Sequence, residues 1–339
     1  MFGFLVDLVN CCKICSSSST PQNLDGRVAR SQPVAMMIRS IKLSVVAAAL
    51  TLAQLSPSSA QVAYQKFNVK LTDSLGHFFA PLTIEGKSAN FMFDSGCGAY
   101  FVTSKDFANS LDKELAAAEA AQLIDGEKEQ FSTKLKSLAF GKVKTVYEVQ
   151  SFVVDFGPDG NLTVDQKKVP IDGLVGSPFM KHFRVAFDYA DSSVLFPPKD
   201  AKKGTLAYNK KQAGDFPVTL MEGPGSKPYV SITINGKKLL FLIDSGAAVN
   251  ILTPDARKAL KLRASGRSDG FPTVNVKKPM VGNVQLPSLP FMVREVKTSK
   301  IKADGYRYGG ILGSRSLRQY KATLDFDSYQ LIFDKSIAN

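Results

Sequence analysis

The sequence predicts an all-β protein built as two homologous lobes around a central cleft. An internal repeat carries most of this reading. Residues 80–96, APLTIEGKSANFMFDSG, align without a gap with residues 230–246, VSITINGKKLLFLIDSG, at an offset of 150. A second matched pair follows in the same order, GLVGS at 173–177 and GILGS at 310–314, at an offset of 137. Each has an aspartate twelve residues beyond its second glycine, Asp188 and Asp325. The apolar residues also fall in short runs bounded by turn signals, the pattern of strands rather than of long helices.

The elements follow in the same order in both halves. Leu82–Ile84 and Tyr229–Ile234 read as strands ending at Glu85-Gly86 and Asn235-Gly236, which are hairpin turn signals. Phe91–Phe93 and Leu239–Ile243 are apolar runs that stop at the two Asp-Ser-Gly tripeptides, and Ala99–Val102 and Ala248–Leu252 read as short strands after them. Thr253-Pro254 opens a helix, with threonine as N-cap and proline in the first turn, and Thr103 takes the same place in the first half. The Ala-rich stretch from Lys105 to Ile124 is helix-prone. Asp188 and Asp325 each precede a turn into a final strand and read as turn residues. The polar, Lys-rich stretch from Pro197 to Phe216 reads as the connection between lobes. The expected boundaries are 61–200 for the first lobe, 201–211 for the linker and 212–339 for the second lobe.

Composition narrows the class. Hydrophobic residues make up 44% and charged residues 22%, ordinary for a globular chain. The net charge is +13, but the lysines are scattered and form no dense block, which argues against nucleic-acid binding. Residues 36–60 read as an export signal: Arg39 and Lys42, then the apolar stretch Leu43–Leu55, then Ser58-Ser59-Ala60. That stretch is too short to span a bilayer, so no stable membrane insertion is expected. The expected location is periplasmic or secreted, with a mature chain beginning near Gln61. Residues 1–35, with Cys11, Cys12 and Cys15, are expected to be a spurious or unstructured upstream segment, with translation starting at Met36 or Met37. Cys97 is then the one remaining cysteine, and the mature protein is held by its core without a disulfide.

Asp94 and Asp244 each end a strongly apolar strand and are followed by serine and glycine. A pseudo-twofold arrangement of the halves brings equivalent residues together at the axis. Other chemistries find less support. His77, His182 and Cys97 have no metal-ligand spacing, and no metal or other cofactor is expected. No Gly-x-Ser-x-Gly elbow accompanies either histidine. Cys97 reads as a small buried hydrophobe, and nothing marks a partner for a cysteine nucleophile. The Asn161-Leu162-Thr163 sequon matters only in a host that glycosylates exported proteins.

Two hydrophobic residues before Asp-Ser-Gly, with hydrophobic-hydrophobic-Gly later, form a paired motif. Here it is Phe91–Gly96 with Leu174-Val175-Gly176, and Phe241–Gly246 with Ile311-Leu312-Gly313. In these motifs the chain resembles the aspartic peptidase superfamily, in its retropepsin-like bacterial form with two pepsin-like lobes in one chain. The resemblance covers nearly all of residues 65–335. It implies an aspartic endopeptidase of the acid-protease fold, with Asp94 and Asp244 as a catalytic dyad sharing one proton. One carboxyl group would activate a water and the other would protonate the scissile carbonyl. It also implies that Ser95 and Ser245 cross-link the lobes through hydroxyl-to-backbone hydrogen bonds, beside Gly96 and Gly246. Gly176 and Gly313 would pack beneath the dyad. A peptide or protein substrate is implied, and a monomer suffices because one chain supplies both aspartates. The alternative is a catalytically inactive acid-protease fold that binds peptides. Two departures stand out. Pepsin-like enzymes usually carry Ser or Thr after the motif glycine, where this chain has Cys97 and Ala247; losing those hydroxyls is expected to move the working pH upward. The candidate flap stretches, Ala121–Lys134 and Ser265–Val274, do not resemble each other and offer no flap tyrosine.

Overall fold

Apolar runs interrupted by two-residue turn signals fold here as hairpins. The computed structural model describes residues 64–338 except 69, 72–75, 124–125, 143, 158–160, 165–166, 199 and 297–305. The export segment 36–60, the upstream segment 1–35 and its three cysteines lie outside the described residues. In the first lobe Phe78–Ile84 pairs antiparallel with Lys87–Asp94, and in the second Pro228–Ile234 pairs with Lys237–Asp244. Their turns are tight because both central residues take positive φ: 49° and 86° at Glu85-Gly86, 48° and 73° at Asn235-Gly236.

Each aspartate-bearing strand then gains a parallel neighbour. Gly173–Gly176 lies between Lys87–Asp94 and Phe101–Ser104, with Gly176 in register with Asp94. Arg307–Gly313 lies between Lys237–Asp244 and Ile251–Leu252, with Gly313 in register with Asp244. Strands sandwiched this way are buried on both faces, which is why they read as continuous apolar runs and not as alternating ones. Phe91 and Phe93 point into the main core, while Met92 joins a smaller apolar cluster on the other face.

A six-stranded sheet joins the lobes, in the order Gln65–Asn68, Ser193–Phe196, Ala186–Asp188, Thr323–Asp325, Gln330–Phe333, Phe216–Thr219. Its central antiparallel pair takes one strand from each half, with Phe187 opposite Leu324. Phe93, the residue before Asp94, packs edge-to-face on Phe187 at 5.1 Å, so the strand that carries Asp94 rests on this shared sheet. Burying each such aromatic stabilises the fold by roughly 1.5–3 kcal/mol. Asp188 and Asp325 close turns, as the sequence suggests. Asp188 accepts from the amides of Ala190 and Asp191, and Asp325 from the amide of Asp327 and the hydroxyl of Ser328.

Two local expectations are corrected. The Ala-rich stretch is helical only over Lys105–Ser110; Ala116–Leu123 is a strand paired with Gly126–Phe140. Helix propensity amounts to tenths of a kcal/mol per residue, and a long strand already paired to Lys144–Val154 overrides it. Thr253 caps its helix as expected, accepting from the Ala256 amide at 3.2 Å. In the first lobe the cap is Ser104 instead of Thr103, and the buried Thr103 hydroxyl pairs with Ser151 at 2.7 Å. The connecting stretch holds a helix, Thr205–Gln212, pinned by its buried Leu206 and Ala207 and by the Tyr64 hydroxyl, which accepts from the Leu206 amide. Both candidate flap stretches fall within hairpins of unequal length, Ala116–Leu123 with Gly126–Phe140 and Gly266–Ser268 with Phe271–Val276.

Burial raises the Asp325 carboxyl to about 6. Its folded pKa therefore lies above its unfolded value, and the folded state holds the proton more tightly. The stability from this group is present in acid and is lost as pH rises through about 4 to 6. Asp325→Asn removes that loss. Urea titrations should show the variant gaining on wild type by about 2 kcal/mol between pH 4 and pH 7. An unchanged difference between the two pH values would show that Asp325 ionises normally in the folded protein.

Candidate active site

The two aspartate-bearing strands deliver their motifs to the junction of the lobes. Asp94 and Asp244 are each 1% exposed. Each carboxylate is held by its own turn: Asp94 Oδ1 accepts from the amides of Gly96 at 2.8 Å and Cys97 at 3.0 Å, and Asp244 Oδ1 from those of Gly246 at 2.9 Å and Ala247 at 3.1 Å. The serines between them cross the lobe boundary. Ser95 Oγ accepts from the Ser245 amide at 2.9 Å and donates to the Ile243 carbonyl at 2.8 Å. Ser245 Oγ accepts from the Ser95 amide at 2.9 Å and donates to the Phe93 carbonyl at 2.8 Å.

This exchange presses each turn against the opposite carboxylate. A Cβ at Gly96 would fall 2.5 Å from Asp244 Oδ2, and one at Gly246 would fall 2.6 Å from Asp94 Cγ. Only glycine fits at either position. The two carboxyl groups lie near enough for each to influence the other's ionisation. Burial pushes both above the usual carboxylate range. For Asp94 the Asp244 charge acts in the same direction as burial. The arrangement is a buried acid and base in contact, able to move a proton in each direction.

The aspartyl protease family model matches residues 80–179 and 230–315, more than half of the chain. The chain belongs to the aspartyl protease family. Among solved structures, the aspartic proteinase from Irpex lacteus aligns with a TM-score of 0.49 and 11% identity, over 82% of this chain and 99% of that one. Basic 7S globulin from soybean aligns with a TM-score of 0.44 and 12% identity, over 82% of this chain and 96% of that one. A search of curated proteins gives no match.

Gly176 and Gly313 lie directly under the two turns. A Cβ at Gly176 would meet the Ala99 carbonyl oxygen at 1.9 Å, and one at Gly313 the Val249 carbonyl oxygen at 2.5 Å. The next residues clasp the turns. Ser177 Oγ donates to the Ser95 carbonyl at 2.7 Å, and Ser314 Oγ to the Ala247 carbonyl at 3.0 Å. Cys97 and Ala247 are fully buried, each in a small apolar cluster: Phe79, Met92 and Leu174 around the first, Tyr229, Leu242 and Ile311 around the second. Their backbone amides serve the aspartates, whereas the Cys97 thiol lies 3.9 Å from the Ala99 carbonyl and adds to the upward push on Asp94.

Sequence reasoning passed over several residues that the fold brings here. Ser177 and Ser314 stand in the repeated GLVGS and GILGS segments, so the repeat itself could have pointed to them. Asn250 has no such signal. Its Oδ1 accepts from the Gly313 amide at 3.0 Å and from Ser316 Oγ at 2.9 Å, tying the second turn to the strand beneath it. His77 and Lys227 are also buried, although neither belongs to a motif. Among the described residues, no three His, Cys, Asp or Glu side chains gather as a metal site.

Each serine makes two buried hydrogen bonds across the lobe boundary, and its removal strands an amide and a carbonyl. Ser95→Ala and Ser245→Ala should each lower unfolding stability by roughly 2–3 kcal/mol. A double-mutant cycle should show coupling of at least about 0.5 kcal/mol, since both act on one junction. Two additive losses under about 0.5 kcal/mol each would mean that the exchange does not hold the lobes together.

Proposed function

We propose that this protein is an aspartic endopeptidase that hydrolyses peptide bonds with a water activated between Asp94 and Asp244. The observation that carries this reading is the pair of buried carboxyl groups held at the lobe junction by the reciprocal serine exchange, each against the glycine of the other's turn. At a pH where the pair holds one proton, it is base and acid at once. The ionised carboxylate takes a proton from water as the water oxygen attacks the scissile carbonyl carbon. The protonated carboxyl gives its proton to the carbonyl oxygen, so a neutral tetrahedral diol forms. The carboxyl that took the water proton then delivers it to the amide nitrogen as the carbon–nitrogen bond breaks. The other takes back a hydroxyl proton as the new acid forms. The products are a carboxylic acid and an amine, and the dyad ends with the single proton it began with.

The substrate class is an extended peptide or an unfolded protein segment, held by main-chain hydrogen bonds with side chains in alternating pockets. One chain supplies both aspartates, so a monomer is the working unit. The charged, apolar and small-residue pattern of residues 36–60 supports a periplasmic or exterior location. Among the described residues no helix is long and apolar enough to cross a membrane.

Asp94→Asn and Asp244→Asn should each lower cleavage of a denatured protein mixture by about a thousandfold or more, with the circular dichroism of the wild type retained. The double variant should be no worse than either single one, because the groups act as a unit. Pepstatin should block the wild-type reaction. Wild-type rates from either single variant would overturn the dyad assignment, and peptide binding without cleavage by the wild type would establish a binding module instead.

A further inference from the structure

The repeat gives each lobe the same far end, and the two ends carry unlike charge. In both, the tight turn between the paired strands packs on the C-terminal end of a short helix. In the first lobe the Lys87 ammonium donates to the Ser110 carbonyl, at the end of the helix Lys105–Ser110. In the second the Lys237 ammonium donates to the Ala259 carbonyl at 2.7 Å, at the end of the helix Pro254–Ala259, and the Asn235 side-chain amide donates to the Leu260 carbonyl at 3.3 Å. The chain leaves both helices in the same way, with Asp112 and Lys261 at positive φ, 52° and 53°.

The charges on this shared frame differ. Residues 85–88 and 105–114 of the first lobe hold three lysines against four acids, a net of −1. Residues 235–238 and 254–263 of the second hold Lys237, Lys238, Arg257, Lys258, Lys261 and Arg263 against Asp255 alone, a net of +5. Arg307 adds to this end, in register with Leu239 and 3.8 Å from Asp255. In the first lobe the charges close on each other, Lys113 on Glu85 at 2.6 Å. In the second, Lys258, Lys261 and Arg263 are exposed, and their side chains make no hydrogen bond or ion pair among the described residues. Arg257 and Lys258 suit the last turn of a helix, where the backbone dipole favours cations. That local reason does not extend to Lys238, Lys261 or Arg263. Like charges gathered on one face repel one another and weaken the fold. Bases scattered in the sequence are thus brought together by the fold with no internal use.

Little but charge is offered here. Among the described residues the exposed large hydrophobic side chains are Tyr147, Tyr208 and Phe216, none of them on these elements. Tyr306 is covered by the Lys238 ammonium, 5.3 Å from its ring centre. No exposed ring on these elements would wedge into hydrocarbon or stack on unpaired bases. Long, unpaired cations spread over one face fit a broad layer of phosphate headgroups. The strand Lys237–Asp244 runs from this face to the dyad, so roughly 20 Å separates the two. A partner docked here leaves the dyad uncovered.

We propose that this end of the second lobe is a membrane-docking face, which holds the protein by charge alone to the anionic phospholipid headgroups of a bilayer. The periplasmic or exterior location proposed above puts such a surface within reach. The docking does not rest on the peptidase reading and is tested without turnover.

The test is co-sedimentation of the full chain with vesicles of phosphatidylglycerol mixed with phosphatidylcholine, and with vesicles of phosphatidylcholine alone. The ratio of the two cancels any contribution of the apolar stretch 43–55. Wild type should prefer the anionic vesicles by roughly a hundredfold or more at low salt. The preference should collapse as added salt shortens the Debye length from about 30 to about 3 Å. Lys261→Gln should lower it about fivefold, and Lys258→Gln, Lys261→Gln and Arg263→Gln together by roughly a hundredfold. Lys134→Gln, Lys202→Gln and Lys203→Gln together remove the same charge from exposed positions elsewhere, and should lower it by less than about threefold. Absence of an anionic preference in wild type overturns the inference. So does an equal loss in the two triple variants, since net charge would then suffice. Tighter binding to duplex DNA than to the anionic vesicles, at equal phosphate concentration, also overturns it and assigns the face to nucleic acid.

Discussion

Everything at the lobe junction depends on the reciprocal exchange between Ser95 and Ser245. Each hydroxyl accepts the other turn's amide and donates to a carbonyl of the other lobe's motif strand. Four hydrogen bonds in a dry site fix the separation and tilt of two turns that belong to different halves of the chain. With the turns locked, Gly96 and Gly246 lie against the opposite carboxylates, and the two acids have nowhere to go but toward each other. A surface salt bridge would not hold such a geometry, because water and side-chain entropy erode it. Buried hydrogen bonds do, because breaking one strands a polar group away from solvent.

The same constraint explains the choice of neighbours. Glycine is required where another backbone passes at contact distance, as at Gly176 and Gly313 under the turns. Phe93, the residue before Asp94, anchors its strand to the shared six-stranded sheet through the Phe187 contact, so this half of the dyad sits on a platform made by both halves. Cys97 and Ala247 fill small apolar clusters behind the turns and contribute amides, not side chains, to the carboxylates. The acids are therefore supported by backbone dipoles alone from their own turns. Burial is left partly uncompensated, and both stay raised.

The repeat made the architecture and the meeting of Asp94 with Asp244 legible, because a duplicated sequence order implies a pseudo-twofold axis. The hairpin turns were legible from Glu85-Gly86 and Asn235-Gly236, whose conformations are set locally. What escaped was set by tertiary pairing. The strand Ala116–Leu123 looks helical until a partner strand takes its backbone hydrogen bonds. His77 and Lys227 are unlike in chemistry and lie outside the matched segments. Extending the repeat register three residues upstream puts them opposite each other, and their burial comes from tertiary packing. Asn250 likewise acquires its role from the strand that ends at Gly313.

The central claim is that one proton shared by two buried carboxyl groups performs the chemistry. The pH dependence of kcat/KM on a single quenched peptide tests it most directly. The account gives a bell-shaped profile. Activity rises as the pair loses its first proton and falls as it loses the second, with well-separated limbs because burial and mutual repulsion oppose the second ionisation. A profile that rises once and stays level into alkaline pH would contradict it, since the reaction would then need a base but no protonated partner.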